Sequence, residues 1–92
     1  MKVFKEIEVS SKYHSLDKAI FDIQLFDDRI VVETLNYTIM VSFDSIATLR
    51  NKGIESVDCI VNDSSVLSNI YFTKMAQSDC DLLASTYENF QK

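Results

Sequence analysis

The sequence predicts an α+β fold: an antiparallel sheet of about six strands, a short central helix and a C-terminal helix packed on the sheet. Three observations predict it. Residues 19–43 alternate apolar and polar side chains, a second alternating pair of runs covers residues 57–70, and residues 76–90 carry an apolar stripe with helical spacing. The predicted order is β-β-β-β-α-β-β-α, which favours a curved sheet or a partly open barrel capped by the last helix.

The chain has 92 residues, which suits one domain over residues 1–92. The first predicted strand covers residues 2–9, where Val3, Ile7 and Val9 share a face but Lys5 interrupts the alternation. This strand is the weakest of the set.

A three-stranded meander is the clearest feature of residues 19–43. Asp27-Asp28 and Leu35-Asn36 are interpreted as two-residue turns. The alternative is that each loop is longer by one or two residues, because Asp-Asp is not an ideal primed turn and Leu35 is a poor left-handed residue. A slip of one residue would move the apolar side chains to the other face, so the pattern and the turns support one register. The turns predict these pairs: Leu25 with Ile30, Ile23 with Val32, Val32 with Ile39, and Ile30 with Val41.

After the meander the spacing of apolar residues changes from two to three, and residues 44–53 are predicted to form a two-turn helix. Asp44 or Ser45 can cap its start, Ile46 and Leu49 share a face, and Gly53 lies where a helix ends.

A second hairpin is predicted from the alternation of Val57, Cys59 and Val61. A loop at residues 62–65 would pair Val61 with Val66, Cys59 with Ser68, and Val57 with Ile70.

The C-terminal helix is predicted from a capping box, Ser78 followed by Asp81, together with Asp79 at the positive end of the helix. Its apolar stripe consists of Ala76, Cys80, Leu83, Ala84, Tyr87 and Phe90, with Leu82 on the opposite side.

Composition argues against catalysis and against bound cofactors. With a single glycine, Gly53, no phosphate-binding loop can be written, and a single histidine, His14, excludes multi-histidine metal sites. Cys59 and Cys80 both fall on apolar faces, which predicts buried, reduced thiols rather than a nucleophile or a bridge. We therefore expect a protein that is not an enzyme and that needs no metal or cofactor.

Charge is unevenly distributed along the chain. Residues 19–92 contain five basic and eleven acidic groups, a net charge of −6, whereas the first 18 residues have a net charge of +1. Direct nucleic-acid binding needs a basic face and is not expected. The sequence also predicts no membrane span and no signal peptide, since Glu6 and Glu8 interrupt the N-terminal segment, so the expected location is cytoplasmic.

The second face of the meander is the candidate binding site. In the predicted register Asp22 lies opposite Glu33 among apolar side chains, an arrangement that suits a cationic and apolar partner. The alternative is that strand 2–9 or a second layer covers this face, with Lys2 or Lys5 neutralising the acids. The predicted partner-binding residues are Asp22, Glu33, Met40, Asp27 and Asp28, with Tyr71 and Leu82 as a second outward-facing pair.

These features predict a small acidic protein that binds and inhibits another protein by covering a basic, nucleic-acid-binding surface. A phage or mobile-element inhibitor of a host defence complex, resembling an anti-CRISPR protein in role, is the favoured form. The alternatives are a toxin-immunity protein and a homodimeric regulatory or structural subunit.

Overall fold

The computed structural model describes residues 1–63 and 66–92, with the backbone alone at positions 63 and 66. This part of the chain forms one seven-stranded antiparallel sheet in the order β4-β3-β2-β1-β7-β6-β5, followed by one α-helix. The elements are β1 (Lys2–Ser11), β2 (Leu16–Leu25), β3 (Arg29–Glu33), β4 (Thr38–Ser42), a 3-10 turn (Phe43–Ser45), β5 (Ile46–Asn51), β6 (Val57–Asp63), β7 (Val66–Thr73) and α1 (Gln77–Phe90).

The connection between β4 and β5 requires the sheet to curl. These two strands are the opposite edges of the sheet, yet only the 3-10 turn separates them in sequence. A flat sheet of this size would hold its edges about 29 Å apart, because neighbouring strands lie about 4.8 Å apart. The few residues of the turn span at most about 14 Å, so the edges approach each other and the sheet becomes a partly open barrel.

Helix α1 packs against the concave side of this sheet. Its buried side chains Cys80, Leu83 and Tyr87 belong to the same core cluster as the inward side chains of all seven strands. The ring of Phe43, in the turn between β4 and β5, makes edge-on contacts with Tyr87 and Phe90. The helix therefore stabilises the curl at the place where the sheet edges meet.

The predicted meander is confirmed. Strands β2 and β3 pair Ile23 with Val32 and Leu25 with Ile30, and β3 and β4 continue the same register. Both connections are the predicted two-residue turns, since Phe26 N–H donates to the Arg29 carbonyl and Thr34 N–H donates to the Tyr37 carbonyl.

The predicted six-stranded fold with a central helix is wrong. Residues 46–51 form β5, a seventh strand paired with β6, and only Phe43–Ser45 form a 3-10 turn. Ile46 pairs with Val61 and Thr48 pairs with Ile60, so Ala47 is an extra residue, a β-bulge. The three-residue spacing of Ile46 and Leu49, interpreted as helical, arises because the bulge returns both side chains to the inner face.

A bulge also explains the weak pattern of β1. The inward residues are Phe4, Ile7 and Val9 rather than Val3, Ile7 and Val9, and the register shifts between Phe4 and Ile7. Lys5 and Glu6 both lie opposite Asp22 at this point.

The second hairpin forms with a register that differs by two residues from the predicted one. Cys59 pairs with Ile70 and Val61 pairs with Ser68, so the predicted inward face is kept. Asn62 belongs to β6 rather than to a loop, while the predicted loop residues 64 and 65 lie outside the described residues.

The C-terminal helix forms, but without the predicted capping box. It begins at Gln77 with Ala76 at the N-cap position, where no side-chain hydrogen bond is made. The Asp81 carboxylate instead accepts hydrogen bonds from Gln77 Nε2 at 2.9 Å and from Asn51 Nδ2 at 2.7 Å, which lower the pKa of Asp81. Asp81 thus ties the first turns of α1 to the end of β5. Among the described residues, no helix is long and apolar enough to cross a bilayer.

Candidate functional site

An open depression of about 610 Å³ lies on the convex side of the sheet, over β1, β2 and the end of β3. We refer to it as the acidic depression. It brings Asp22 and Glu33 to one site, together with Glu6 and the cation Lys5. Its lining consists of Val3, Lys5, Glu6, Ile20, Phe21, Asp22, Gln24, Glu33, Thr34 and Leu35.

Asp22 is held by the bulge in β1. Its carboxylate accepts hydrogen bonds from the backbone N–H of Glu6 and from Lys5 Nζ, both at 3.1 Å. These bonds lower the pKa of Asp22, with the Glu6 N–H as the largest cause and Lys5 next. The expected alternative, in which the first strand supplies a lysine to the acids, is therefore what the structure shows for Asp22.

Glu6 and Glu33 differ from Asp22 in having no ion pair within the described part of the chain. Glu33 is exposed at the end of β3, where it pairs with Thr38, and Glu6 is exposed at the bulge. The depression therefore presents two carboxylates whose charge Lys5 does not directly neutralise.

Exposed apolar side chains border these acids. Leu35 is 95% exposed in the β3–β4 turn and Ile20 is 62% exposed on β2. Burying such side chains against a partner is favourable, because it removes apolar surface from water. The depression thus combines negative charge with apolar surface.

Met40, Asp27 and Asp28 lie outside the acidic depression. Met40 is 66% exposed on the edge strand β4, beside Val31. Asp28 forms an ion pair with its neighbour Arg29 at 2.7 Å, and its carbonyl accepts a hydrogen bond from the Phe43 N–H. Asp27 lies in a smaller depression, of about 250 Å³, that Leu82 and Thr86 of α1 also line.

Tyr71 and Leu82 are not brought together. Leu82 faces the depression that contains Asp27, whereas Tyr71 lines a separate groove over β6 and β7. Lys52 lies over the Tyr71 ring, with its Nζ 5.8 Å from the ring centroid.

The cysteines are buried free thiols, as predicted. Burial raises the pKa of Cys59 to about 12 and also raises the pKa of Cys80. Cys80 Sγ donates to the Met75 carbonyl, and His14 lies in the turn between β1 and β2. In the described ranges, no group of three or more histidine, cysteine or acidic side chains is arranged to hold a metal ion.

Sequence reasoning did not identify Glu6 as part of this site. The missed signal is the spacing of Phe4, Ile7 and Val9, three residues and then two, which indicates a bulge in a strand. The apolar groove beside Tyr71 was also missed, because it depends on where two strands separate.

Comparison with known proteins identifies a similar fold but no family. No protein-family model matches the sequence, and no curated protein matches it. A chain in a solved structure described as "The 8S snRNP Assembly Intermediate" superposes with a TM-score of 0.72, covering 99% of this chain and 80% of that chain at 5% identity. At that identity the likeness concerns the fold alone.

Proposed function

We propose that this protein is a non-catalytic binding domain whose acidic depression receives a basic, partly apolar surface of another protein. The observation that carries the proposal is the placement of Glu6 and Glu33 beside the exposed side chains of Ile20 and Leu35.

The negative charge of the depression indicates a partner with a positively charged surface. Asp22 is already engaged by Lys5 and the Glu6 N–H, so a partner's lysine or arginine would meet Glu33 and the Glu6 side chain. Complementary charge speeds docking and fixes its orientation. The strength of this contact should therefore fall as salt is added.

Apolar surface supplies the rest of the contact. Leu35 and Ile20 line the depression from different elements, so a partner seated in it contacts apolar side chains as well as the acids. Burial of such side chains contributes about 25 cal/mol for each Å² of apolar surface removed from water.

Inhibition would follow from occlusion. A basic protein surface is commonly a nucleic-acid site, and an acidic domain seated there competes with phosphate. We propose action in the cytoplasm, which suits two unbridged thiols, and a phage or mobile-element origin directed at a defence complex. The alternative of a toxin-immunity protein would use the same occlusion. The alternative of a homodimer would be detected in the following experiment as self-association.

The test uses three forms of the full chain as bait in extract from the native host: wild type, Glu33→Lys and Glu88→Lys. Glu88 is an exposed acid on α1, so its variant is a control for charge change alone. We expect a protein retained by wild type and Glu88→Lys but lost from Glu33→Lys, identified by mass spectrometry. Asp22 is left intact because it supports the bulge.

The captured protein is then purified and titrated. We expect Glu33→Lys to raise its Kd by about tenfold or more, equivalent to about 1.4 kcal/mol. We also expect the wild-type domain to block nucleic-acid binding by that protein. Equal affinity for wild type and Glu33→Lys would overturn the assignment of the site. Undiminished nucleic-acid binding in the saturated complex would overturn occlusion.

A further inference from the structure

Strand β7 has a backbone edge that is only partly paired. On one side it pairs with β6 from Val66 to Phe72, but on the other side, within the described ranges, it pairs with β1 only over Tyr71–Thr73. Beyond Ser10, β1 leaves β7 and continues with β2 to the tip of their hairpin, where Ser11 pairs with Leu16. The edge of residues 67–70 that faces β1 therefore has no strand partner in the part of the chain that the structure describes.

An open groove of about 890 Å³ lies where the two strands separate, and it is larger than the acidic depression. Apolar and aromatic side chains line it from the hairpin tip and from β6 and β7. The main ones are Tyr13, Leu16, Ile60, Leu67 and Tyr71. Leu67 is 71% exposed, so this surface is uncovered in the isolated chain.

Ser11 adds an unsatisfied hydrogen-bonding group to the groove lining. The residue is only 3% exposed, and its Oγ has no hydrogen-bond partner among the described residues. Buried polar groups are normally paired, and those that are not call for a partner.

We propose that the groove receives an extended, uncharged apolar segment of another protein, which adds a strand to the free edge of β7. A strand edge presents N–H and C=O groups in a row, and an extended backbone is the ligand that pairs with such a row. Among the described residues, the charged side chains that line the groove are Lys12 and Asp17, one of each sign, so this lining favours neither an acidic nor a basic segment. This site goes beyond the proposed function, since its lining shares no residue with the acidic depression.

The probe is a linear peptide selected from a displayed random library on the immobilised full chain. Its Kd is measured for wild type, Leu67→Asp and Leu35→Asp, two substitutions of exposed leucines in different sites. We expect Leu67→Asp to raise the Kd by about tenfold or more and Leu35→Asp to leave it unchanged. Circular dichroism of each variant verifies that it is folded.

Two further measurements establish the binding mode. The peptide is methylated at one backbone nitrogen at a time, and we expect the Kd to rise at every second position, because alternate N–H groups face the partner strand. Amide exchange in residues 67–70 should slow on binding.

The proposal is overturned if no selected peptide depends on Leu67. It is equally overturned if methylation has no alternating effect or if the amides of residues 67–70 remain unchanged. Leu35→Asp and Glu33→Lys affect only the acidic depression, so failure at one site is distinguishable from failure at the other.

Discussion

The Asp22 carboxylate accepts a hydrogen bond from the backbone N–H of Glu6 at 3.1 Å, and Glu6 has a left-handed φ of 54°. A second pair repeats this relationship on the neighbouring strand. Ser10 Oγ accepts from the N–H of Lys18 at 2.9 Å, and Lys18 has a φ of 52°. In both bulges a side chain on the adjacent strand accepts a hydrogen bond from the N–H of the left-handed residue. These contacts explain how the β1–β2 pair bends without glycine.

Replacement of Asp22 by asparagine should reduce stability at neutral pH and have no such effect in acid. Because the folded-state pKa of Asp22 is lowered, its charge stabilises the fold above the ordinary aspartate range. That contribution is lost as the pH falls through the lowered folded-state pKa. Urea unfolding at pH 7 and at lower pH should show the difference between wild type and Asp22→Asn shrinking. Asp17→Asn serves as the control, and a difference independent of pH would contradict this account.

Substitution of Lys18 by glycine should maintain or raise stability, because glycine adopts a φ of 52° without steric strain. Relief of that strain offsets the greater freedom of glycine in the unfolded chain, so we expect a change between zero and about 1 kcal/mol in favour of the fold. Asp17→Gly, one residue earlier in β2, lacks that relief and should cost about 1 kcal/mol. Denaturant titration measures both, and equal losses in the two variants would argue against strain at Lys18.

The bulges also show where sequence reasoning fails. Period-2 alternation predicts the pairing register and both turns of the β2–β4 meander, because the turns are short and the paired segments are regular. A bulge changes the spacing of inward residues from two to three, as at Phe4–Ile7 and Ile46–Leu49. A helix gives the same spacing. Over a segment as short as β5, only pairing with β6 decides between them.

In the candidate site too, some features follow from the local sequence pattern and others do not. The register of β2 and β3 is enough to place Asp22 and Glu33 on one face, and both line the acidic depression. The contact of Asp22 with Glu6 depends on a bulge between strands β1 and β2, and the groove depends on β1 leaving β7. The bulge leaves a three-residue spacing in the sequence that a helix would also give, and the separation of β1 from β7 depends on long-range pairing.

Tyr87 should be a larger source of stability than Tyr37, although each phenol donates one hydrogen bond to a backbone carbonyl. Tyr87 Oη donates to the Ile46 carbonyl at 3.1 Å in the core, whereas Tyr37 Oη donates to the His14 carbonyl at 3.1 Å at the surface. Tyr87→Phe removes this buried hydrogen bond and the acceptor of Gln91 Nε2, and should cost about 1–2 kcal/mol. Tyr37→Phe, where water replaces the phenol, should cost less than about 0.5 kcal/mol. Thermal unfolding of the two variants provides the comparison, and equal losses would place the Ile46 carbonyl within reach of water.

Neither cysteine should react with iodoacetamide in the folded protein at neutral pH. Alkylation requires an accessible thiolate, and burial raises the pKa of Cys59 to about 12 and raises that of Cys80. Intact mass should therefore remain unchanged under conditions that fully modify free cysteine, and two adducts should form in urea. The single variants Cys59→Ser and Cys80→Ser assign any adduct to its thiol. Rapid modification of one folded-state cysteine would contradict its burial and would favour a thiol chemistry that the proposed binding function does not include.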